Sequence, residues 1–259
     1  MWRVLFYPHY PKWLLGAFAG WWLAWAIGPL MPRDFVLENL LTVVAAVVVI
    51  GTYRRFRLSN ISYTLIFVYM CLHTVGAHYT YALVPYDRWF GSLFGTTLTD
   101  LFGFRRNHYD RLVHFSFGFF LAYPIREIFL RIASVRGAWG YYLPLDVTMS
   151  FSMLYELIEW GVTLLAGGEL GTAYLGTQGD EWDAQKDMAL ATFGAVLSMG
   201  TTALINWKYS KRFGKEWWES LTIKDPRPLG EVKLWELFQE ERGVPPAGEQ
   251  EEPSDRGRP

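Results

Sequence analysis

Acidic and histidine side chains occur in pairs inside long apolar stretches of this 259-residue chain. The pairs are Asp110 with His114, Glu156 with Glu159, and Asp183 with Asp187. Residues three or four positions apart lie on the same face of a helix, so each pair directs two chemical groups the same way. Because ionisable groups are costly in an apolar segment, each pair is a hypothesis about function.

Metal binding is the chemistry that these pairs suggest, since several carboxylates cannot stay ionised together at low dielectric without protons, basic partners or a cation. Carboxylate with imidazole suits Zn²⁺, Mn²⁺ or Fe²⁺, and carboxylate alone suits Mg²⁺ or Ca²⁺. The expected cofactor is a divalent metal ion such as zinc, manganese or magnesium. The predicted ligands are Glu156, Asp183, Asp187 and His114. Glu159 and Asp110 are predicted to act as general acid or base.

Several neighbouring side chains are candidates for supporting roles. Arg105, Arg106 and Arg111 are predicted to bind an anionic headgroup, because arginine pairs well with phosphate and carboxylate. His73, His78 and Asp180 are predicted to surround the site. Purely structural roles also stay open for these residues, since the two histidines could be hydrogen-bonded core residues. Asp180 and Asp183 could equally cap the N-terminus of a helix.

Six apolar segments carry these residues. They are residues 12–31, 35–52, 60–84, 110–130, 141–166 and 184–207. A helix needs about 20 apolar residues to cross a hydrocarbon core of about 30 Å. Apolar residues make up 51% of the chain and charged residues 19%, below the level of about 25% that is usual in soluble domains, and an ordinary soluble domain does not contain six such segments. The sequence therefore predicts an all-α polytopic membrane protein, a bundle of six transmembrane helices.

The distribution of lysine and arginine predicts that both termini are cytoplasmic. The side shared by the two ends carries eleven of these residues near the segment ends, and the other side carries six. In this orientation the third to sixth segments all place acids or histidines in the outer half of the bilayer. At about 1.5 Å per residue, Glu159 lies about 10 Å and Glu156 about 15 Å from the outer end. Since charged side chains avoid lipid, we expect them to share an interior cleft.

The composition changes after residue 208, which predicts a transmembrane domain at 1–208 and a cytoplasmic tail at 209–259. The first part of the tail is basic and aromatic, and Trp217 and Trp218 would suit a membrane interface. Residues 231–242 have the pattern of a short amphipathic helix. Residues 243–259 are predicted to be disordered.

Four stretches of the sequence together resemble the YjdF-type bacterial inner-membrane proteins. They are HTVGAHYTYALVP, RNHYDRLVHFSFGFFLAYPIRE, YELIEW and GTQGDEWDAQKDMALATFGA. Their order and spacing also agree, and the resemblance covers about residues 10–208. It implies a multi-pass protein of the bacterial inner membrane and leaves the chemistry open.

A fainter resemblance is to the VanZ-like proteins. That family combines an Asp-x-x-x-His helix start, acids in a following helix, and an Asp-x-x-x-polar helix start before two small residues. Asp110 with His114 and Asp183 with Asp187 stand at the matching positions here. The arginine expected before the last pair is missing. The resemblance implies a link to glycopeptide resistance and the cell envelope.

Three functions remain open from the sequence, and whether the protein is an enzyme is one of the questions. The first is a metal-dependent membrane enzyme that acts on a lipid or lipid-linked envelope substrate. The second is a proton- or cation-coupled transporter, and the third is an envelope scaffold whose polar cluster joins helices. With a net charge of −1, the chain lacks the excess of basic residues that is typical of proteins that bind nucleic acid, so no nucleic-acid partner is expected. Membrane lipids are the expected partners.

Overall fold

The computed structural model describes residues 8–166, 177–224 and 229–241, and every regular element in these ranges is a helix. The helices are α1 (Tyr10–Trp25), α2 (Pro32–Thr52), α3 (Asn60–His78), α4 (Tyr86–Phe94), α5 (Leu98–Phe102), α6 (Tyr109–Ile132), α7 (Trp139–Ala166), α8 (Asp183–Tyr209), α9 (Phe213–Leu221) and α10 (Leu229–Glu241). The all-α prediction is confirmed for these residues. The tail end predicted to be disordered, 243–259, lies outside them.

Three helices of the described chain are long and apolar enough to cross a membrane, namely α2, α3 and α8. The other predicted spans correspond to α1, α6 and α7. The first of these has 16 residues and is short for a span, whereas α6 and α7 have 24 and 28 residues. These two carry ionisable residues that lower their hydropathy. The six-span bundle and the cytoplasmic position of both ends therefore stay predictions.

The third predicted segment, 60–84, is helical only as far as His78. Thr80 and Tyr81 follow with φ values of 56° and 52°, and two successive left-handed residues end a helix. The chain turns back, so the Tyr81 amide donates to the carbonyl of Gly76 at 2.8 Å. The Tyr81 ring then lies on Gly76, where any Cβ atom would overlap it. This turn directs a buried phenol into the bundle.

The crossing of α6 and α8 is the closest helix packing in the described structure. Gly118 of α6 lies directly on the backbone of Ala191, and Gly194 of α8 lies on the backbone of Phe115. A Cβ atom at either glycine would overlap main-chain atoms of the other helix. Small residues allow such close approach in membrane helices. The crossing therefore fixes the first two turns of α6 beside those of α8.

Helix α2 buries a polar face and exposes an apolar one. Its buried residues are Asp34, Phe35, Glu38, Asn39 and Thr42. Its exposed face includes Val43, Val44, Val47 and Val48. The buried face is held by α3 and by the indole of Trp22, which donates to Asn39 at 2.6 Å. An apolar exterior of this kind suits a helix in contact with lipid.

Two short helices, α4 and α5, connect α3 with α6. The Asp87 carboxylate of α4 accepts from the Thr99 amide of α5 at 3.1 Å and also bonds the Thr99 hydroxyl, which joins the two helices. Their exposed side chains include Leu93, Phe94, Leu101 and Phe102. Apolar exposure on short helices is typical of segments at a membrane interface.

The chain divides into two compact units, Met1–Ser220 and Leu221–Pro259. The first contains helices α1 to α8 and most of α9, whose Trp217 ring packs against Tyr141. The second contains α10, Leu229–Glu241, where the sequence predicted a short helix at 231–242. The predicted boundary at residue 208, between a transmembrane domain and a cytoplasmic tail, stays a prediction.

Candidate metal and acid–base site

Asp110, His114 and Asp187 form a compact group of metal-ligand type where α6 and α8 begin. One ligand atom from each residue lies within 4.8 Å of the others. The four-residue spacing places Asp110 and His114 on one face of α6, and the crossing of the two helices brings Asp187 alongside. His114 is 8% exposed and Asp187 is 2% exposed, so the group lies inside the protein.

A second carboxylate faces the same imidazole from α7. His114 Nε2 lies 3.6 Å from Asp110 Oδ1 and 3.5 Å from Glu156 Oε1. The second distance is suitable for an ion pair but leaves Glu156 Oε1 without a hydrogen bond. Asp187 Oδ1 is also buried without a hydrogen-bond partner among the described residues. Buried polar atoms nearly always have partners, so these two oxygens indicate that a proton or a cation belongs here.

Asp183 pairs with arginine and does not belong to the group of Asp110, His114 and Asp187. Its two carboxylate oxygens accept from Arg106 at 2.5 and 2.9 Å, and Arg111 Nη2 lies 3.3 Å away. Burial would lower the pKa of Arg106, but the hydrogen bonds and charge of Asp183 outweigh it and raise that pKa. This bidentate pair makes Asp183 a partner of the basic residues, which differs from the ligand role predicted for it.

Asp180 connects three basic side chains above the first turn of α8. Its carboxylate accepts from Arg111 at 2.6 Å and from Lys186 at 2.8 and 2.6 Å, and Arg106 Nη1 lies 3.6 Å away. The hydrogen bond from Lys186, with those of the Trp182 amide and Arg111, lowers the pKa of Asp180 to about 2. The Trp182 amide also donates to Asp180 at 3.1 Å, but Trp182 itself is the N-cap residue of α8 and the helix has no side-chain cap. We call Arg106, Arg111, Lys186, Asp180 and Asp183 the ion network.

The remaining predicted residues have separate positions. Arg105 is exposed, unlike the two other arginines. His78 Nδ1 lies 2.7 Å from the carbonyl oxygen of Trp25, and its ring packs on Trp25 and Tyr79. That environment agrees with the alternative of a hydrogen-bonded core histidine.

Glu159, the predicted acid or base, lies one turn beyond Glu156 on α7. It is half-buried, and it contacts both Glu156 and Tyr155. Asp110 and Glu38 are within electrostatic range of its carboxyl group. The structure thus places Glu159 at the edge of the metal-ligand group, where it could exchange a proton with a bound molecule.

A second buried polar group, unpredicted from the sequence, adjoins the first through Glu38 of α2. Glu38 is 3% exposed and accepts from the hydroxyls of Tyr155 at 3.0 Å and Tyr81 at 3.4 Å. The Tyr81 hydroxyl lies 2.6 Å from His73 Nδ1. Tyr155 also packs edge-on against His114, with ring centroids 5.7 Å apart. His73 therefore supports Glu38 rather than the metal-ligand group itself.

A signal for this second group is present in the sequence. Asp34 and Glu38 are four residues apart at the start of an apolar segment, which is also the arrangement of Asp110 and His114. The predicted segment, 35–52, leaves Asp34 outside it, and no role is predicted for Glu38 from the sequence. In the structure Asp34 is 1% exposed, and its Oδ1 atom has no hydrogen-bond partner among the described residues.

Comparison with known proteins agrees with the membrane character of the chain. The model of the family described as "Predicted membrane protein (DUF2238)" matches residues 10–208. The chain is also similar to "Inner membrane protein YjdF" of Escherichia coli (strain K12). The two are 36% identical over 181 residues, which cover 70% of this chain and 82% of the relative. No solved structure matches.

Proposed function

We propose a metal-dependent enzyme function for this chain, which belongs to the DUF2238 family of predicted membrane proteins. The proposed substrate is a lipid or lipid-linked envelope molecule that reaches the site from the outer leaflet. The family and the inner-membrane relative support the location. The proposed chemistry depends on the site alone.

The observation that carries the proposal is the pair of unsatisfied oxygens around His114. Asp187 Oδ1 and Glu156 Oε1 are buried without hydrogen bonds in the described structure, and an uncompensated buried charge is strongly unfavourable. A divalent cation near Asp110, His114 and Asp187 would neutralise this charge. Two carboxylates and an imidazole suit zinc or manganese, and magnesium is the alternative if carboxylates dominate.

The bound metal would polarise a phosphoryl or acyl oxygen, or activate a water molecule. Glu159 lies beside the group and would accept the proton from that water as a general base. The ion network contains three cations and two carboxylates, Asp180 and Asp183. Arg111 of this network keeps a buried Nε atom without a hydrogen-bond partner among the described residues, and it would bind an anionic headgroup beside the metal.

Metal content tests this proposal directly. The protein would be purified in detergent without chelators and its metals measured by elemental analysis. We expect about one divalent ion per chain, and its loss in the Asp187→Asn and His114→Ala variants. Asp180→Asn is the matched control, because it changes an aspartate of the ion network and should retain the metal. Native protein without metal, or equal loss in the control, would contradict the proposal.

A proton- or cation-coupled transporter is the second candidate, and the buried polar face of α2 favours it. Asp34, Glu38 and Thr42 follow one another at single-turn intervals, so polar groups continue from the site along the inside of the helix. Cation or proton uptake by proteoliposomes, abolished by Glu38→Gln, would support transport. A scaffold is favoured by the arginine pairing of Asp183, and it requires neither bound metal nor uptake.

A further inference from the structure

An aromatic groove of about 860 Å³ lies beside the ion network, between α1, α3, α4 and the start of α6. Eight of its fifteen lining residues are tryptophan, tyrosine or phenylalanine, including Trp21, Trp25, Tyr79, Tyr86 and Trp89. Its volume falls within the range of pockets that bind small molecules. Because the lining is almost entirely apolar, the groove suits a hydrocarbon chain rather than a polar ligand.

The groove reaches the surface of the helix bundle. Trp21, Trp89 and Leu112 line it and are themselves exposed. The segment of α4 and α5 forms one wall, since Trp89 and Leu98 belong to these helices. The exposed apolar side chains of the same segment suit the interface of a bilayer. A lipid could therefore enter the groove sideways without leaving the membrane.

The groove and the ion network meet at the first turn of α6. His108, Tyr109 and Leu112 line the groove, and His108 Nδ1 lies 3.4 Å from Arg111 Nη1. Arg111 in turn bonds Asp180, and its own Nε atom is buried with no hydrogen-bond partner among the described residues. The polar end of a molecule in the groove would thus lie near the Arg111 guanidinium and its unpartnered Nε atom.

We propose that this groove holds the hydrocarbon tail of an anionic membrane lipid, whose headgroup contacts Arg111. The inference rests on the proposed function, because it identifies how a lipid substrate would be held at the site. The apolar lining binds the tail through the hydrophobic effect. The Arg111 guanidinium, which has one N–H without a partner among the described residues, favours an anionic headgroup over a zwitterionic one.

Photo-crosslinking tests the inference. The probe is phosphatidylglycerol with a diazirine in one acyl chain, added to the purified full-length protein, and labelled peptides are identified by mass spectrometry. We expect labels on α1, α3, α4 and the start of α6. Unlabelled phosphatidylglycerol should compete several-fold better than unlabelled phosphatidylcholine.

A groove-filling variant supplies the control. Leu112→Trp places an indole ring in the groove and should reduce labelling several-fold. Leu204→Trp, at an exposed leucine of α8 outside the groove, should leave labelling unchanged. Labels spread evenly over the helices, or undiminished in Leu112→Trp, would overturn the inference, as would equal competition by the two lipids. Metal content is measured separately. If the native protein is labelled by the lipid but contains no metal, only the enzyme proposal is contradicted. If it contains the metal but is not labelled in the groove, only the lipid-binding inference is contradicted.

Discussion

At the scale of residues, the charges of this site are divided between two kinds of environment. Asp183 and Asp180 have arginine or lysine partners at hydrogen-bond distance. Asp187 and Glu156 keep buried oxygens without such partners in the described chain. The first pair can therefore fix the structure without any ligand. The second pair is the part of the site that would change when a cation binds.

Asp183→Asn should destabilise the protein far more than Asp180→Asn. The first change leaves the buried Arg106 charge without its bidentate partner, which typically costs about 3–5 kcal/mol. The Asp180 side chain is more exposed, at 18% against 4%, so solvent compensates part of its loss. Thermal unfolding in detergent measures both variants. Similar melting temperatures would show that the Arg106 pair contributes little.

The low pKa of Asp180 predicts how the ion network responds to acid. The pKa falls from 3.8 to about 2 on folding, so its stabilising contribution is complete above 3.8. That contribution is lost as the pH falls towards 2. The Trp182 amide, which donates to Asp180, should keep its protection from hydrogen exchange until the pH falls towards 2, where the folded-state carboxylate becomes protonated. Loss of protection near neutral pH would contradict the assignment.

At the scale of elements, the glycine crossing of α6 and α8 determines whether the metal-ligand group can form. Asp110 and His114 stand two turns and one turn before Gly118 on α6, and Asp187 stands about two turns before Gly194 on α8. The backbones touch at both glycines. A small separation of the helices at this point would therefore move the ligand atoms apart.

Gly118→Leu should lower both stability and metal content. The added side chain overlaps the Ala191 backbone, and overpacking typically costs about 1–3 kcal/mol. Gly200→Leu on α8 is the matched control, because a Cβ atom there meets nothing within 4 Å. Melting temperature and elemental analysis would be measured on both variants. If the two behave alike, the crossing does not position the ligands.

The predictability of the site follows from how far apart its partners lie in sequence. The local spacing of Asp110 and His114 predicted a chemical pair, and the structure places Asp187 with them. No spacing could assign Asp183 to Arg106, which is 77 residues away. Hydropathy similarly predicted the helices, but the end of α3 at His78 depends on the left-handed residues Thr80 and Tyr81.

At the scale of the whole molecule, all the acids of the site come from one end of the bundle. They lie at the N-terminal ends of α2, α6 and α8 and the C-terminal part of α7. Alternating helix directions bring these ends together. The predicted orientation, with both chain ends in the cytoplasm, would direct them towards the outside.

Cysteine labelling checks this orientation. In a Cys71→Ser background, Glu181→Cys next to the site should react with a membrane-impermeant maleimide added to intact bacteria. Lys211→Cys, after α8, should react only after lysis, since it would lie in the cytoplasm. Both positions are exposed in the structure. The reverse pattern would place the site on the cytoplasmic side and remove the route from the outer leaflet.

The inverted polarity of α2 has a consequence for how the protein is made. Its valine-rich face allows it to insert into the bilayer as soon as it is synthesised. The partners of Glu38, however, are Tyr81 and Tyr155, which lie 43 and 117 residues further along the chain. Glu38 therefore lacks its Tyr155 partner until α7 has been translated. Chains stalled before that point would present a carboxyl group within the membrane, a mark by which quality-control proteases could recognise unfinished copies.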